Sequence, residues 1–260
     1  MKKIILAVCC VAALASCKKT TGPEGPQGPA GPQGPAGSGS GAGTGIVTGK
    51  VKQYDQYNVQ YTTNLNTTTV SVEGTTISTV TDASGNYTLT NVGAGVLDLV
   101  YDRPNSGLNK INQIVFAGAG TLYMNENVYD KASYTFTGGY ARDTTQFSNS
   151  GVLTRLYYAT NTKQRAAVAL FGKTASVDIS DPSTYEFDYY MNIPANTTTS
   201  YQMFNYGNGG FNTFNSGDII YVKIYPMSNT GSGYYNYVLN KQVLTGGGTP
   251  IPTTFTITKP

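Results

Sequence analysis

From Ile46 onward the chain runs in short stretches where apolar and polar residues alternate, each closed by Gly, Asn, Asp or Pro. Successive side chains on a strand point to opposite faces, so a period of two suits a half-buried sheet and cannot draw an apolar stripe along a helix. No long stretch keeps a 3.6-residue apolar period. Val, Thr and Tyr fit a pleated surface, and the 31 Gly supply turns. The fold class is therefore all-β, with helix expected only in the N-terminal apolar segment.

That segment sets the location. Lys2 and Lys3 are followed by the apolar run Ile4 to Leu14 and then by Leu14-Ala15-Ser16-Cys17, the pattern of a secretory signal. A spanning helix needs about 20 apolar residues, and this run is shorter. The motif resembles a bacterial lipoprotein signal. The resemblance implies that residues 1–16 are removed and that Cys17 becomes the diacylated first residue; an ordinary signal with an incidental Cys17 is the alternative. Acyl chains contribute about 0.8 kcal/mol per buried CH₂, enough for a lipid to hold a domain on a membrane. Lys18 and Lys19 after the cysteine imply, by the same resemblance, the outer membrane. No acidic run follows Cys17, so the extracellular face is expected from the spacer and the charge-poor surface, with the periplasmic face as the alternative. Cys9 and Cys10 lie inside the signal, which leaves no pair for a disulfide.

Residues 17–44 read as a tether. Gly recurs at 22, 25, 28, 31, 34 and 37 in five Gly-Pro-x triplets, a collagen-like repeat. A triple helix this short is marginal, so the expectation is a monomer on a semi-rigid spacer about 45 Å long at roughly 3.1 Å per residue, with trimerisation through the repeat as the alternative. Ser38 to Gly45 adds a flexible joint.

Residues 45–130 carry short strand runs at Ile46 to Val51, Thr69 to Gly74, Thr76 to Thr81, Asn86 to Asn91, Gly95 to Tyr101, Ile111 to Phe116 and Thr121 to Val128. Asp82 to Asn86 is expected to close a hairpin between the third and fourth of these. Thr81-Asp82-Ala83-Ser84-Gly85-Asn86-Tyr87-Thr88-Leu89, followed by Val92-Gly93-Ala94-Gly95, resembles the carboxypeptidase regulatory-like domain. The resemblance implies a seven-stranded prealbumin-like sandwich without catalytic residues. Asp82 reads as a turn residue, because its neighbours supply too few oxygens for calcium. One departure from that family is the long connection Gln53 to Asn66, which carries Tyr54, Tyr57 and Tyr61.

Residues 131–260 read as a second sandwich, with runs at Tyr134 to Tyr140, Val152 to Ala159, Ala166 to Phe171, Tyr185 to Ile193, Ser200 to Tyr206, Ile219 to Tyr225, Tyr234 to Leu239 and Thr254 to Ile257. Ser216 to Pro226 resembles the penultimate strand of immunoglobulin-like or fibronectin type III-like domains. In the pairs Tyr157/Tyr158, Tyr189/Tyr190 and Tyr234/Tyr235, one ring is expected inside and one outside.

Chemistry is narrowly bounded. The chain has no His, hence no imidazole base, no Ser-His-Asp triad and no His-based metal site. No catalytic residue, cofactor or metal is expected. A carboxylate pair among Asp178, Asp181, Glu186 and Asp188 leaves a glycoside hydrolase as a third reading. Net charge is +3, and removing Lys2 and Lys3 leaves +1 with no basic cluster, which argues against nucleic acid. The first reading is a lipid-anchored structural or adhesive envelope protein that binds cell-surface protein. The second is a glycan-binding lipoprotein using exposed aromatic loops. Tyr54, Tyr57 and Tyr61, with Tyr206, Phe211 and Phe214 from the Gly/Asn-rich loop Asn205 to Ser216, are the candidate binding residues; the bland alternative has them folded back as lids. Asp143-Thr144-Thr145 resembles a bacterial O-glycosylation sequon, which would place the sugar on Thr144.

Overall fold

The computed structural model describes residues 43–143, 151–158, 162–195, 200–206, 212–228 and 233–259. The signal, Cys17, the collagen-like repeat, Thr144 and Phe211 lie outside the described residues. What is described is all-β apart from short 3-10 turns, one of them at Pro182–Thr184. It belongs to a single compact unit.

The first half contains β1 (Thr44–Tyr54), β2 (Thr69–Val72), β3 (Ser78–Val80), β4 (Asn86–Gly93), β5 (Gly95–Asp102), β6 (Asn109–Phe116), β7 (Thr121–Tyr123) and β8 (Glu126–Tyr129). One sheet runs β3-β2-β5-β6, and the other runs β4-β1-β7 with β8 also on β1. The inward positions Val47, Val51, Val70, Val72, Leu89, Leu99 and Tyr101 form its core. Both β7 and β8 run parallel to β1, so the expected strand Thr121 to Val128 is present but broken at Met124-Asn125. Gly49 leaves room for the chain at this break: a Cβ there would stand 1.7 Å from the Met124 carbonyl oxygen. Met124 N–H still donates to the Thr48 carbonyl, and Lys50 N–H donates to Asn125 Oδ1.

The Asp82–Asn86 turn corrects one expectation. It is a tight turn, with Asp82 Oδ1 accepting from the N–H groups of Ser84 and Asn86 at 2.8 and 2.9 Å. Yet β3 pairs with β2 and β4 pairs with β1, so the turn is a corner between sheets and not a hairpin.

The second half contains β9 (Gly138–Asp143), β10 (Gly151–Tyr157), β11 (Arg165–Gly172), β12 (Phe187–Ile193), β13 (Ser200–Tyr206), β14 (Ile219–Met227), β15 (Gly233–Asn236), β16 (Lys241–Leu244) and β17 (Phe255–Thr258). The sheets run β13-β10-β9 and β12-β11-β14-β17, with β15-β16 as a separate ribbon. A three-stranded sheet and a four-stranded sheet form a sandwich of immunoglobulin type, except that the fourth strand, β12, joins the second sheet. β14 is its penultimate strand, the place assigned from Ser216 to Pro226.

β11 is buried on both faces. Ala167, Ala169 and Phe171 enter the core between the sheets, whereas Ala166, Val168 and Leu170 meet Val177, Ile179, Tyr185 and Leu244 on the outer side. The second half thus has a third layer that the alternation did not reveal. Tyr157 and Tyr158 follow the expected alternation, at 39% and 2% exposed, whereas the third layer takes up the second ring of the next pair, so that Tyr189 and Tyr190 pack on opposite cores.

The halves exchange elements. Tyr57 from the first packs on the core of the second. In return the β15-β16 ribbon lies against β6, where Asn112 Nδ2 donates to the Tyr235 carbonyl at 2.7 Å. Beside it, Thr245 Oγ1 donates to the Leu108 carbonyl at 2.8 Å.

Candidate functional site

The long connection after β1 is organised by Asp55, whose Oδ1 accepts from the N–H groups of Tyr57 and Val59 at 2.8 Å each. That turn sends its three tyrosines to different places. Tyr54 stacks on Tyr129 with ring centroids 4.9 Å apart. Tyr57 stacks on Tyr134 at 6.0 Å, with Lys163 Nζ 4.6 Å from its ring. Beside it Ser133 N–H donates to Gln56 Oε1 at 2.6 Å and Gln56 Nε2 donates back to Ser133 Oγ at 2.8 Å. Tyr54 and Tyr57 are therefore packing residues, and only Tyr61, 38% exposed, borders an open cleft.

The cleft has a volume of about 510 Å³ and is lined by Gln53, Tyr61, Thr63, Asn64, Thr67, Arg103, Pro104, Asn105 and Asp130. Its base is a polar network. Arg103, only 7% exposed, pairs with Asp130 Oδ1 and donates from Nη1 to Gln53 Oε1 at 3.0 Å. Tyr61 OH donates to Asp130 Oδ2 at 2.6 Å, and the Arg103 guanidinium lies 5.1 Å from the Tyr61 ring centre. Burial pulls the Arg103 pKa down, with Tyr61 opposing. Both carboxylate oxygens are engaged and the two charges cancel, so the site presents a pinned aromatic ring among Thr and Asn side chains. Arrangements of this kind suit an uncharged ligand that offers hydroxyl groups and C–H faces.

Sequence reasoning missed Gln53, Arg103 and Asp130. One signal was available: Gln53 continues the inward phase of Val47 and Val51, and a polar side chain there requires buried partners.

Phe214 corrects another expectation. It is 2% exposed and meets Phe187 edge-on at 6.1 Å, so it is a core ring and not part of an exposed patch. Tyr206 ends β13, and its side chain, like all of Phe211, lies outside the described residues.

The carboxylates weighed as a hydrolytic pair serve local structure. Asp178 Oδ1 accepts from Ser180 N–H and Oγ. Burial would raise its pKa, but the Ser180 bonds and Lys223 outweigh this and hold it low. Asp181 caps the 3-10 turn, and its bonds from Ser183 Oγ and N–H hold it below the usual range. Glu186 faces Lys173 at 3.9 Å, and burial pushes Asp188 up. Among the described residues no group of three His, Cys, Asp or Glu could hold a metal ion, and no helix is long and apolar enough to cross a membrane.

No family model matches the chain, and no curated protein does. Several solved structures resemble it at low identity. A chain of a type II cohesin–X-dockerin complex from Acetivibrio cellulolyticus is 22% identical over 34% of this chain, with a TM-score of 0.29, and the match spans 59% of that chain's length. A DUF3823 family protein from Parabacteroides merdae is 11% identical over 81% of this chain and 98% of its own, with a TM-score of 0.28. A proposed carbohydrate binding protein from Bacteroides uniformis is 10% identical over 83% of this chain and 99% of its own, with a TM-score of 0.30.

Proposed function

We propose that this is a non-catalytic binding protein of the bacterial cell envelope, and that the Tyr61 cleft takes a sugar. The observation that carries the reading is the ring of Tyr61, fixed from behind by Arg103 and Asp130 and open toward Thr63, Asn64, Thr67 and Asn105. A rigid ring ringed by short hydroxyl and amide side chains contacts a sugar face at little entropic cost. The chain is a monomer with two sandwiches, residues 45–130 and 131–260. A lipid on Cys17 anchors it to the outer membrane, and residues 17–44 hold it off on the extracellular side.

Two measurements test this. Calorimetric titration with neutral oligosaccharides should give binding that weakens at least about tenfold in Tyr61→Ala, the ratio expected for losing one aromatic contact. Equal affinity in the variant refutes the site. Cys17→Ala should move the protein out of the detergent phase and end palmitate incorporation, and persistence of either refutes the anchor.

A further inference from the structure

A second cleft opens where the β15-β16 ribbon meets the first half, and its construction begins with an irregularity in β6. Leu97 pairs with Ile114 and Leu99 with Ile111, so Asn112 and Gln113 together face Asp98 alone. This is a bulge, a device that re-aims side chains next to binding sites. Gln113 takes φ +61, the left-handed region where Gln is uncommon, and its N–H is held by Asp98 Oδ1 at 2.8 Å. Strain of this sort persists only where the surroundings enforce it, and it clusters at ligand clamps.

The opposite wall comes from the ribbon and is equally fixed. Asn236 Oδ1 accepts from the N–H groups of Val238 and Leu239 at 3.0 and 3.1 Å, which sets the tip. Tyr237, 57% exposed, is held edge-on by Tyr235 at 5.0 Å. Lys110, which sits 4.9 Å from the Tyr234 ring centre, is committed to Glu73. Asn112 Oδ1 is buried there without a partner. The cleft has a volume of about 220 Å³, and Glu73, Asp98 and Gln113 also border an adjoining hollow of about 370 Å³ over Val96.

We propose that this cleft is a second sugar subsite, taking one neutral ring against Tyr237 with its hydroxyl groups bound by Asp98, Gln113 and Asn236. The proposal rests on the Tyr61 reading for its ligand class, but its residues are separate. With Lys110 neutralised by Glu73, Asp98 is left as an acceptor that repels a sugar acid and favours a neutral hydroxyl. Two weak subsites on one rigid body raise affinity for a branched or dense glycan through effective concentration.

The test is calorimetric titration of the full-length protein in detergent with gluco-, manno-, galacto- and xylo-oligosaccharides and with an oligouronate. Tyr61→Ala, Tyr237→Ala, Tyr237→Phe and Asp98→Asn are compared with the parent, and circular dichroism checks each fold. Tyr237 stands on an exposed tip, so its variants should fold. The proposal expects two sugars per chain, one per chain in either Ala variant, about tenfold weaker binding at the second subsite in Asp98→Asn, and retention in Tyr237→Phe. One sugar per chain, lost with Tyr61→Ala and untouched by Tyr237→Ala, overturns the second subsite and leaves the first. The reverse pattern upholds the second and overturns the first. Preference for the oligouronate at Tyr237 overturns the neutral ring, and no binding to any probe overturns both.

Discussion

Removing Asp130 should leave Arg103 charged, buried and short of its partner, and the size of the penalty distinguishes a structural pair from a surface one. The Arg103 side chain is 8% exposed and that of Asp130 is 23%. Breaking a buried pair from one side costs about 3 to 5 kcal/mol, whereas an exposed pair contributes about 0.2 to 1 kcal/mol. Water reaches Asp130, so Asp130→Ala belongs at the lower end, at about 3 kcal/mol. Arg103→Met removes the charge but leaves Asp130 bonded to Tyr61 and Gln53 bonded to Thr67, for about 2 kcal/mol. The double variant buries no lone charge and should cost about 3 rather than 5 kcal/mol, a coupling of about 2 kcal/mol. Urea unfolding read by tyrosine fluorescence and circular dichroism measures all three, since the chain has no Trp. Additivity within about 0.5 kcal/mol, or a single loss under about 1 kcal/mol, refutes the reasoning and with it the pinned ring.

Two further outcomes follow from burial. Burial pushes the Glu126 carboxyl above its ordinary 4.5, only partly offset by the Asn127 N–H. The native state therefore holds this proton more tightly than the unfolded chain, and stability falls as pH rises from the unfolded value through the folded one. Glu126→Gln should raise the thermal midpoint at pH 7, with the difference vanishing in acid below the unfolded value; a lowered midpoint at pH 7 contradicts the sign. Phe214→Ala should cost about 3 to 5 kcal/mol in urea unfolding, and a loss under about 1 kcal/mol contradicts its place in the core.

The strands were legible because a period of two is a local property. β13 has the expected bounds, and most other strands differ by one to three residues. Pairing is not local. Asp82 announces a turn through its own side chain, but whether the next strand returns to the same sheet depends on an open edge of β1 far back in the chain. The close approach of Met124 between β7 and β8 likewise relies on a residue far back in the chain, Gly49. The strand run read as Tyr134 to Tyr140 begins only at Gly138, and Tyr134 instead works through its side chain, whose hydroxyl accepts from Ala166 N–H at 2.8 Å. β16 was missed since its buried residues, Val243 and Leu244, are adjacent and break alternation.

The candidate site divides on the same line. A loop rich in Tyr and Asn has one composition whether its rings meet solvent or a neighbouring core, so Tyr57 and Tyr61 could not be told apart until Tyr134 and Asp130 were seen beside them. Those partners belong to the joint between the halves. Asn105, which lines the Tyr61 cleft, accepts from Lys131 N–H at 2.9 Å, and Asn112, which lines the second cleft, holds the ribbon. The chain has no cysteine pair for a disulfide across this joint, and reciprocal insertion of Tyr57 and the β15-β16 ribbon does that work through packing and hydrogen bonds. Both clefts are thus walled by groups that also fix one half on the other. On the proposed reading, a sugar there would meet a surface whose ordering entropy was already met by folding, which would let small sites bind with few contacts.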